Sequence, residues 1–198
     1  MAGSTSSYGA VKRDSALVKF YPSGAKAWNV TWGGSEWDRG LGIALDSVGN
    51  IYVTGETESY GAGVSDIVVV KFYPNGTVIW NVSWGDSNYE YGYDIALDAE
   101  GNVYVTGSTS SYGEGLSNIA VVKFYPNGTK AWNFTWDTSS YNIGYGIALD
   151  LAGNIYVTGE VIGYGGVSGD LVVVKFYEKS STTPPVPGFL AISVIIGL

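Results

Sequence analysis

The sequence predicts an all-β chain built from a repeated unit, and three observations lead to this prediction. The hexapeptide KFYPNG stands at 71–76 and again at 123–128, and close copies begin at Lys19 and Lys175, so that successive copies are 52 residues apart. Glycine, valine, threonine and aromatic residues are abundant, a composition typical of strands and tight turns. Runs of helix-forming residues are almost absent. A fixed period of this size indicates a repeat architecture.

The composition also excludes several classes of function. The 198 residues are enough for one domain with a core, and their net charge of −8 argues against nucleic acid as a partner, because phosphates would be repelled. The chain has no cysteine and no histidine. Disulfides, thiolate chemistry, imidazole bases and most zinc sites are therefore excluded.

Each period contains four short apolar runs, named strands A to D in chain order. In the clearest copy they occupy 93–98, 102–108, 118–125 and 129–136. The A–B link reads DAEGN and the C–D link reads YPNG, and both have the Asp, Pro and Gly residues of tight turns. The sequence therefore predicts four antiparallel strands in each repeat, with KFYPNG as the end of strand C and the turn after it.

The faces of these strands predict how the repeats pack. Strand C is apolar on both faces at 67–72, which is typical of a strand covered on both sides. Strand A carries small residues such as Gly42 and Ala44, and strand D alternates, with Trp80 and Trp84 on one face and Asn81 on the other. Four strands in about fifty residues is the size of one β-propeller blade. We count thirteen strands, and expect a partial, open propeller of about three to three and a half blades.

The motif GIALDSVGNIYVTG, followed by DIVVVKFYPNG and two tryptophans, resembles the SBBP-type repeats of bacterial and archaeal β-propellers. Its strand order is similar to that of NHL-type blades. The resemblance covers 14–177. It implies the propeller architecture but no particular chemistry, because propellers host many functions.

The ends of the chain differ from the repeats. We expect a partial repeat over 1–13, the propeller over 14–177, a Ser/Thr/Pro linker over 178–187 and an apolar segment over 188–198. GSTSSYG near the start matches 107–113, so the chain is expected to begin inside a repeat and to be a piece of a longer protein.

The C-terminal segment, FLAISVIIGL, is shorter than the roughly 20 residues that span a bilayer. We interpret it as the first half of a transmembrane segment, and PGF before it resembles the sorting tail of archaeal surface proteins. The alternatives are a buried strand or a disordered end. On the first interpretation the protein is extracellular and anchored at the cell surface, with membrane contact only through this tail. Open blades could also self-associate.

Five Asn-X-Ser/Thr sequons agree with an extracellular location. Three of them are repeat equivalents on strand D, and two lie in the Asn-Gly-Thr turns. The candidates are Asn29, Asn81, Asn133, Asn75 and Asn127. Turn chemistry is the alternative explanation for the last two.

The long loops are the predicted binding region. Antiparallel order puts the D–A and B–C loops at one end of the blades and the tight turns at the other. Loops on a rigid scaffold often carry binding residues, and aromatic rings beside polar acceptors suit sugars or peptides. The candidates are Glu36, Trp37, Asp38, Asp86, Tyr89, Glu90, Tyr91, Tyr141 and Asn142. The alternative is that these residues only pack the loops together.

Two residue types that recur in every repeat are interpreted as structural. Each repeated aspartate begins a DxxGN turn, and each repeated lysine lies in an apolar strand, where we expect it to pair with the aspartate of a neighbouring blade. They are Asp46, Asp98, Asp150, Lys19, Lys71, Lys123 and Lys175. No metal or other cofactor is expected. Calcium is the one cation considered, but the spacing of an EF-hand is absent.

These observations favour a non-catalytic surface module that binds a glycan or a protein through its long loops, or acts as a scaffold. The second hypothesis is a propeller glycosidase or lyase that uses loop carboxylates such as Glu36 with Asp86. The third is a purely structural surface element. An enzyme should break the repeat with one unique acid cluster, whereas here the acids recur at similar loop positions.

Overall fold

The strands follow the repeat closely. In a computed structural model, 1–7, 12–137, 141–162, 170–178 and 189–196 are described. These residues form fifteen strands: β1 Ala2–Thr5, β2 Asp14–Phe20, β3 Lys26–Trp32, β4 Asp38–Leu45, β5 Ile51–Thr57, β6 Asp66–Phe72, β7 Val78–Trp84, β8 Glu90–Leu97, β9 Val103–Thr109, β10 Asn118–Phe124, β11 Lys130–Trp136, β12 Tyr141–Leu149, β13 Ile155–Ile162, β14 Asp170–Glu178 and β15 Phe189–Ile196.

The described strands form four sheets in which sequential strands are neighbours. The first sheet has the order β1-β2-β3, the second β4-β5-β6-β7, the third β8-β9-β10-β11 and the fourth β12-β13-β14-β15. The pairings are antiparallel, as in β5 with β6 and β6 with β7. Strands A to D of the sequence are thus β4 to β7 and their equivalents. This confirms the all-β prediction of four-stranded antiparallel blades on a 52-residue repeat.

The structure has two strands more than the thirteen predicted. β1 pairs with β2 in the register that β5 uses with β6, so that Gly3 lies opposite Ala16 as Gly55 lies opposite Val68. β15 pairs with β14 as the fourth strand of the last sheet. β15 lies within the apolar segment predicted at 188–198. No helix in the described part of the chain has the length and hydropathy needed to cross a membrane.

The predicted turns have the expected backbone conformation. Gly49 in the A–B link and Gly76 in the C–D link have φ of +87° and +88°, which a side chain would disfavour. Gly76 N–H donates to the Tyr73 carbonyl at 2.9 Å, and Gly49 N–H donates to the Asp46 carbonyl at 3.0 Å. The repeated KFYPNG therefore ends strand C and reverses the chain into strand D.

Strands B and C supply most of the core, which confirms that strand C is covered on both faces. In β6 the run Ile67 to Val70 is buried on both sides, and β10 repeats the pattern. Strand D is wetter, since Asn81 and Ser83 in β7 are exposed while Trp84 is buried. One apolar cluster contains Leu17, Val53 and Phe72, and a separate one contains Ile119 and Val157.

The chain divides into two compact units, Met1–Ile95 and Ala96–Leu198. Within the first unit, a parallel bridge joins Arg13 to Trp37 and another joins Ser65 to Tyr89. Within the second unit, Ser117 is joined to Tyr141 in the same way. Each bridge connects the residue before a strand C to the residue at the start of the following strand A. The D–A loop therefore links one repeat to the next.

Candidate functional site

The exposed feature of the D–A loops is one aromatic residue at the start of each strand A. Trp37, Tyr89 and Tyr141 are equivalent residues and are 44%, 46% and 46% exposed. They lie at the parallel bridges just described, so the backbone at each is fixed by hydrogen bonds. Each ring is therefore a half-exposed apolar surface on a rigid support, which can stack against a ligand.

The next residue in each loop has the opposite environment. Asp38, Glu90 and Asn142 are each 0% exposed, because successive side chains of a strand point to opposite faces. Asp38 accepts hydrogen bonds from Gly34 N–H at 2.8 Å and from the Ser59 hydroxyl at 2.7 Å. The sequence predicted these three residues as ligand-binding. Their burial instead gives them a role in holding the loop.

The main-chain N–H groups of the same three residues join the repeats. Asp38 N–H donates to the Arg13 carbonyl at 2.7 Å, Glu90 N–H to the Ser65 carbonyl at 2.8 Å, and Asn142 N–H to the Ser117 carbonyl at 2.9 Å. The alternation thus places one ligand-accessible ring and one buried polar group at adjacent positions. The 52-residue spacing found both sets, but it did not separate their roles.

Tyr89 continues into a row of tyrosines along one face of β8. Its ring stacks on Tyr91 at 6.2 Å between centroids with an interplanar angle of 14°, and Tyr91 lies 6.2 Å from Tyr93 at 32°. Burial raises the pKa of Tyr91 to about 12, and the charge of Glu56 adds to this effect. The ring of Tyr91 therefore remains neutral at physiological pH and acts as an apolar surface with a hydroxyl donor.

Charged side chains lie beside these aromatic residues in the first unit. Arg39 pairs with Glu56, and this hydrogen bond raises the pKa of Arg39 despite its partial burial. The guanidinium of Arg13 lies 5.1 Å from the centroid of the Trp37 ring, within cation–π range. Arg39, Glu56 and Arg13 are not among the residues that loop composition and the shared repeat positions predict.

The carboxylates named for an enzyme have other partners. Glu36 is half-buried and forms an ion pair with Lys12, and its N–H donates to the Ser59 hydroxyl at 3.0 Å. The N–H of Asp86 donates to Glu90 at 3.0 Å, while its side chain is exposed. Among the residues that the structure describes, no group of three or more Asp, Glu, His or Cys side chains is arranged to hold a metal ion.

The repeated aspartates have the structural role that their turns predict. Asp98 accepts from Asn102 N–H at 2.8 Å, from the Asn102 amide at 2.7 Å and from the Tyr104 hydroxyl at 3.1 Å. Burial alone would raise the pKa of Asp46, but hydrogen bonds from Asn50 and Val48 lower it below its ordinary value. Hydrogen bonds from Asn154 likewise lower the pKa of Asp150.

Three of the repeated lysines lie over a tyrosine of their own sheet. The charge of Lys71 also contributes to the lowered pKa of Asp46, which belongs to the same sheet and not to a neighbouring blade as predicted. The Nζ atom of Lys71 lies 4.8 Å from the Tyr52 ring centroid, and that of Lys123 lies 5.0 Å from Tyr104. Lys175 lies 5.2 Å from Tyr156. Because the Tyr104 hydroxyl donates to Asp98, lysine, tyrosine and aspartate form a chain of contacts within one sheet. In the first sheet Lys19 lies opposite Trp28.

The sequon asparagines are accessible or partly accessible. Asn29, Asn75, Asn81 and Asn127 are exposed, and Asn133 is half-buried. The side-chain oxygen of Asn75 accepts from Thr77 N–H at 3.0 Å, and Asn127 does the same with Thr129. Those two therefore have the turn role that was the alternative to glycosylation. In strand D, Lys26 donates to Asn29 at 3.1 Å.

The comparisons with known proteins agree with this architecture. Three segments match the family model SBBP, described as a β-propeller repeat: residues 38–61, 84–113 and 138–163. A search of the curated proteins finds no match. Each SBBP segment includes a strand A and reaches into strand B or beyond, so that the aromatic positions at Tyr89 and Tyr141 lie inside the matched repeats. Residues 138–140 of the last D–A loop and residues 163–169 of the last B–C loop lie outside the described residues.

Proposed function

We propose that this chain is a non-catalytic β-propeller module of the cell surface, which binds a glycan through the half-exposed aromatic residues at the start of each strand A. The aromatic set is Trp37, Tyr89 and Tyr141. The observation that carries the proposal is the contrast at adjacent positions: the ring is presented to solvent in every repeat, while the next side chain is completely buried. Because the buried residue holds the loop in place, the ring beside it remains available for binding.

The chemistry around the rings suits a sugar better than a charged peptide. A pyranose presents apolar C–H faces to an aromatic ring and hydroxyls to nearby acceptors and donors. The tyrosine row Tyr89, Tyr91 and Tyr93 offers neighbouring rings with hydroxyl groups, and the partly exposed Arg39 offers a donor. Trp37 and Tyr89 lie in the same unit, so that their weak contacts with a polymer can add.

The proposed location is extracellular, and it has separate support. The sequons at Asn29 and Asn81 lie on exposed positions of strand D, where an oligosaccharide has room. Expression in a host that glycosylates secreted proteins, followed by mass spectrometry of the tryptic peptides, tests this part. Unmodified asparagine at all five sequons would remove this support.

The test of binding is a glycan array probed with the full chain and with three variants. Trp37→Ala and Tyr89→Ala each remove one ring, and we expect at least a tenfold loss of affinity, since truncation of an aromatic anchor costs about 2 kcal/mol and 1.4 kcal/mol is about tenfold. Tyr73→Ala is the matched control, because Tyr73 is 50% exposed but lies in the C–D turn at the opposite end of the sheet. Equal losses in all three variants would contradict the proposal.

The array also separates the alternatives. If the ligand is a protein, no glycan on the array should bind, while binding of a protein from the same cell surface should be lost in Trp37→Ala. Release of reducing sugar from a bound polysaccharide, abolished by Glu36→Gln, would instead favour the glycosidase or lyase. A folded chain with neither binding nor hydrolysis would favour a structural element.

A further inference from the structure

The junctions between repeats contain a second set of equivalent residues, unrelated to the exposed rings. Each junction combines the first residue of a strand C, the residue after the following strand D and a residue of the next strand A. We call Asp14, Gly33 and Asp38 the first junction, Asp66, Gly85 and Glu90 the second junction, and Asn118, Asp137 and Asn142 the third junction. The members of one junction are each 52 residues from their counterparts in the next.

The first junction brings two acidic side chains to one buried place. Asp14 is 8% exposed and Asp38 is fully buried. A Cβ atom on Gly33 would lie 2.6 Å from Asp14 Oδ1 and 2.7 Å from Asp38 Oδ2, so both carboxyl groups point to the space that this glycine leaves empty. Asp14 Oδ1 has no hydrogen-bond partner among the described residues, although Asp38 is held by Gly34 and Ser59.

The second junction repeats this arrangement. Asp66 and Glu90 are both buried, and a Cβ atom on Gly85 would collide with Asp66 Oδ1 and lie 2.5 Å from Glu90 Oε2. Asp66 Oδ2 accepts from Ala62 N–H at 2.7 Å. Within the described part of the chain, Asp66 Oδ1 has no partner. The equivalent oxygen is therefore unsatisfied in all three junctions, Asn118 Oδ1 of the third included. In the first and second junctions, the space that the glycine leaves is bordered by a second carboxyl group.

Two buried carboxyl groups that border one small space repel each other when both are charged, so that the charge of one favours the protonated form of the other. Burial raises the pKa of Asp14, and the charge of Asp38 raises it further. Burial also raises the pKa of Asp66, and the charges of Glu90 and Asp86 add to this in spite of two backbone hydrogen bonds. All of these charged neighbours are acidic.

The cations close in sequence to the first junction are directed elsewhere. Lys12 pairs with Glu36, and Arg13 lies over the Trp37 ring. Arg39 pairs with Glu56. These contacts hold the three cations away from the space beside Gly33, so that neutralisation of the first junction has to come from another source.

The third junction shows which charge the arrangement requires. Both acids are replaced by amides, Asn118 and Asn142, and a carboxylate enters at Asp137, in the place of the two glycines. The Asn118 amide donates to the Tyr112 carbonyl at 2.7 Å, and the Asn142 amide donates to the Ser117 carbonyl at 3.2 Å. This junction thus has one carboxylate and two amide groups. A pair of acids with one proton between them has the same single negative charge.

We propose that the first and second junctions each hold one proton, shared between Asp14 and Asp38 and between Asp66 and Glu90. The proton supplies the missing partner of Asp14 Oδ1 and Asp66 Oδ1 and removes the repulsion between the two acids. Calcium does not fit as well, because it needs six to eight oxygen ligands and the glycine space is bordered by two carboxyl groups in each junction. Contact between these repeats then weakens as the proton is lost.

The sign of the pH dependence follows from the direction of the shift. An unfolded aspartate releases its proton around its ordinary pKa of 3.8, whereas the folded pair keeps it to higher pH. Stability from each junction is therefore fully present below about pH 4 and is lost as pH rises through the folded value. In this window the unfolding equilibrium constant rises about tenfold per pH unit for each proton held.

The experiment is urea unfolding of the full chain between about pH 4 and pH 8, for the natural sequence and for Glu90→Gln. The glutamine keeps the size of Glu90 and supplies a permanent donor to Asp66. We expect the folded variant to hold one proton fewer than the natural chain. The change in its unfolding constant per pH unit should therefore be about tenfold smaller. An unchanged slope would overturn the proposal.

Two further measurements keep the test decisive if the variant folds poorly. Carboxyl carbon NMR of the natural chain should show one acid in each of the two junctions titrating above the ordinary range, and ordinary titration of all four would overturn the proposal. Millimolar calcium at neutral pH should leave the unfolding constant unchanged. If calcium stabilises the natural chain but not Glu90→Gln, the junction binds a cation in place of the proton, and the proposal is overturned.

The third junction provides the matched design. The triple variant Asp66→Asn, Gly85→Asp, Glu90→Asn gives the second junction the residues of the third. We expect it to fold and to show the reduced pH slope of Glu90→Gln. A triple variant that folds and keeps the natural slope would contradict the charge assignment.

Discussion

The two nearly identical hexapeptides in the first unit offer the sharpest test of how neighbouring repeats determine the role of a residue. Phe72 in KFYPNG is 1% exposed, whereas Phe20 in KFYPSG is 47% exposed. Phe72 belongs to the apolar cluster with Leu17 and Val53. The same side chain at the same place in the repeat is thus core in one sheet and half surface in the other.

The expected costs follow from these exposures. Phe72→Ala should destabilise the fold by about 3–5 kcal/mol, because it removes the transfer free energy and leaves a cavity. Phe20→Ala should cost about 1 kcal/mol, since burying a phenylalanine completely contributes about 1.5–3 kcal/mol and only about half of this ring is removed from water.

The assay is urea unfolding of the full chain followed by tryptophan fluorescence. We expect the midpoint to fall several times further for Phe72→Ala than for Phe20→Ala. Phe124→Ala, at a third copy that is 0% exposed, should resemble Phe72→Ala. Equal losses at Phe20 and Phe72 would refute the reasoning that neighbouring sheets complete each repeat.

Two further predictions use repeat equivalents and the turn aspartates. Gly55→Ala should cost about 1–3 kcal/mol in thermal unfolding, because its Cβ would collide with the Arg39 carbonyl oxygen, while the equivalent Gly3→Ala, with nothing within 4 Å, should be nearly neutral. A similar loss at both glycines would contradict this explanation. Because the folded pKa of Asp46 is lowered, its contribution is present above about pH 4 and is lost as pH falls further. Asp46→Asn should therefore lose less stability on acidification than the natural chain, and an equal loss in circular dichroism melts would contradict that assignment.

The repeat allowed much of the fold to be predicted from the sequence. The four strands, their order and both tight turns follow from a 52-residue period that contains Pro, Gly and alternating apolar residues. The two strands that were missed are β1 and β15. β1 follows the period, since Gly3 is equivalent to Gly55, but it has only four residues, whereas β15 lies beyond the last repeat. Six of the eight residues of β15 pair with β14, but this strand has no counterpart in the repeat, so only the tertiary structure shows the pairing.

The candidate site was predicted less completely. Loop position and composition selected Trp37 and Tyr89 together with Asp38 and Glu90, because adjacent residues share a loop. The alternation of side chains along strand A puts the rings and the acids on opposite faces. Which residue lies on which face depends on where strand A begins. The aspartate partner of the lysines was predicted in a neighbouring blade, whereas Asp46, on which the charge of Lys71 acts, lies in the same sheet. The pairing of strands B and C also sets Tyr52 of that sheet beside Lys71, and this register is not evident from the sequence.

The central claim is that the D–A loop fixes each repeat to the next through a buried residue beside an exposed ring. Amide hydrogen exchange of the full chain tests it directly at Asp38, Glu90 and Asn142, whose N–H groups donate to the Arg13, Ser65 and Ser117 carbonyls. We predict that these three protons exchange as slowly as those in the middle of β6 and β10. Rapid exchange, at the rate of an open loop, would contradict the claim.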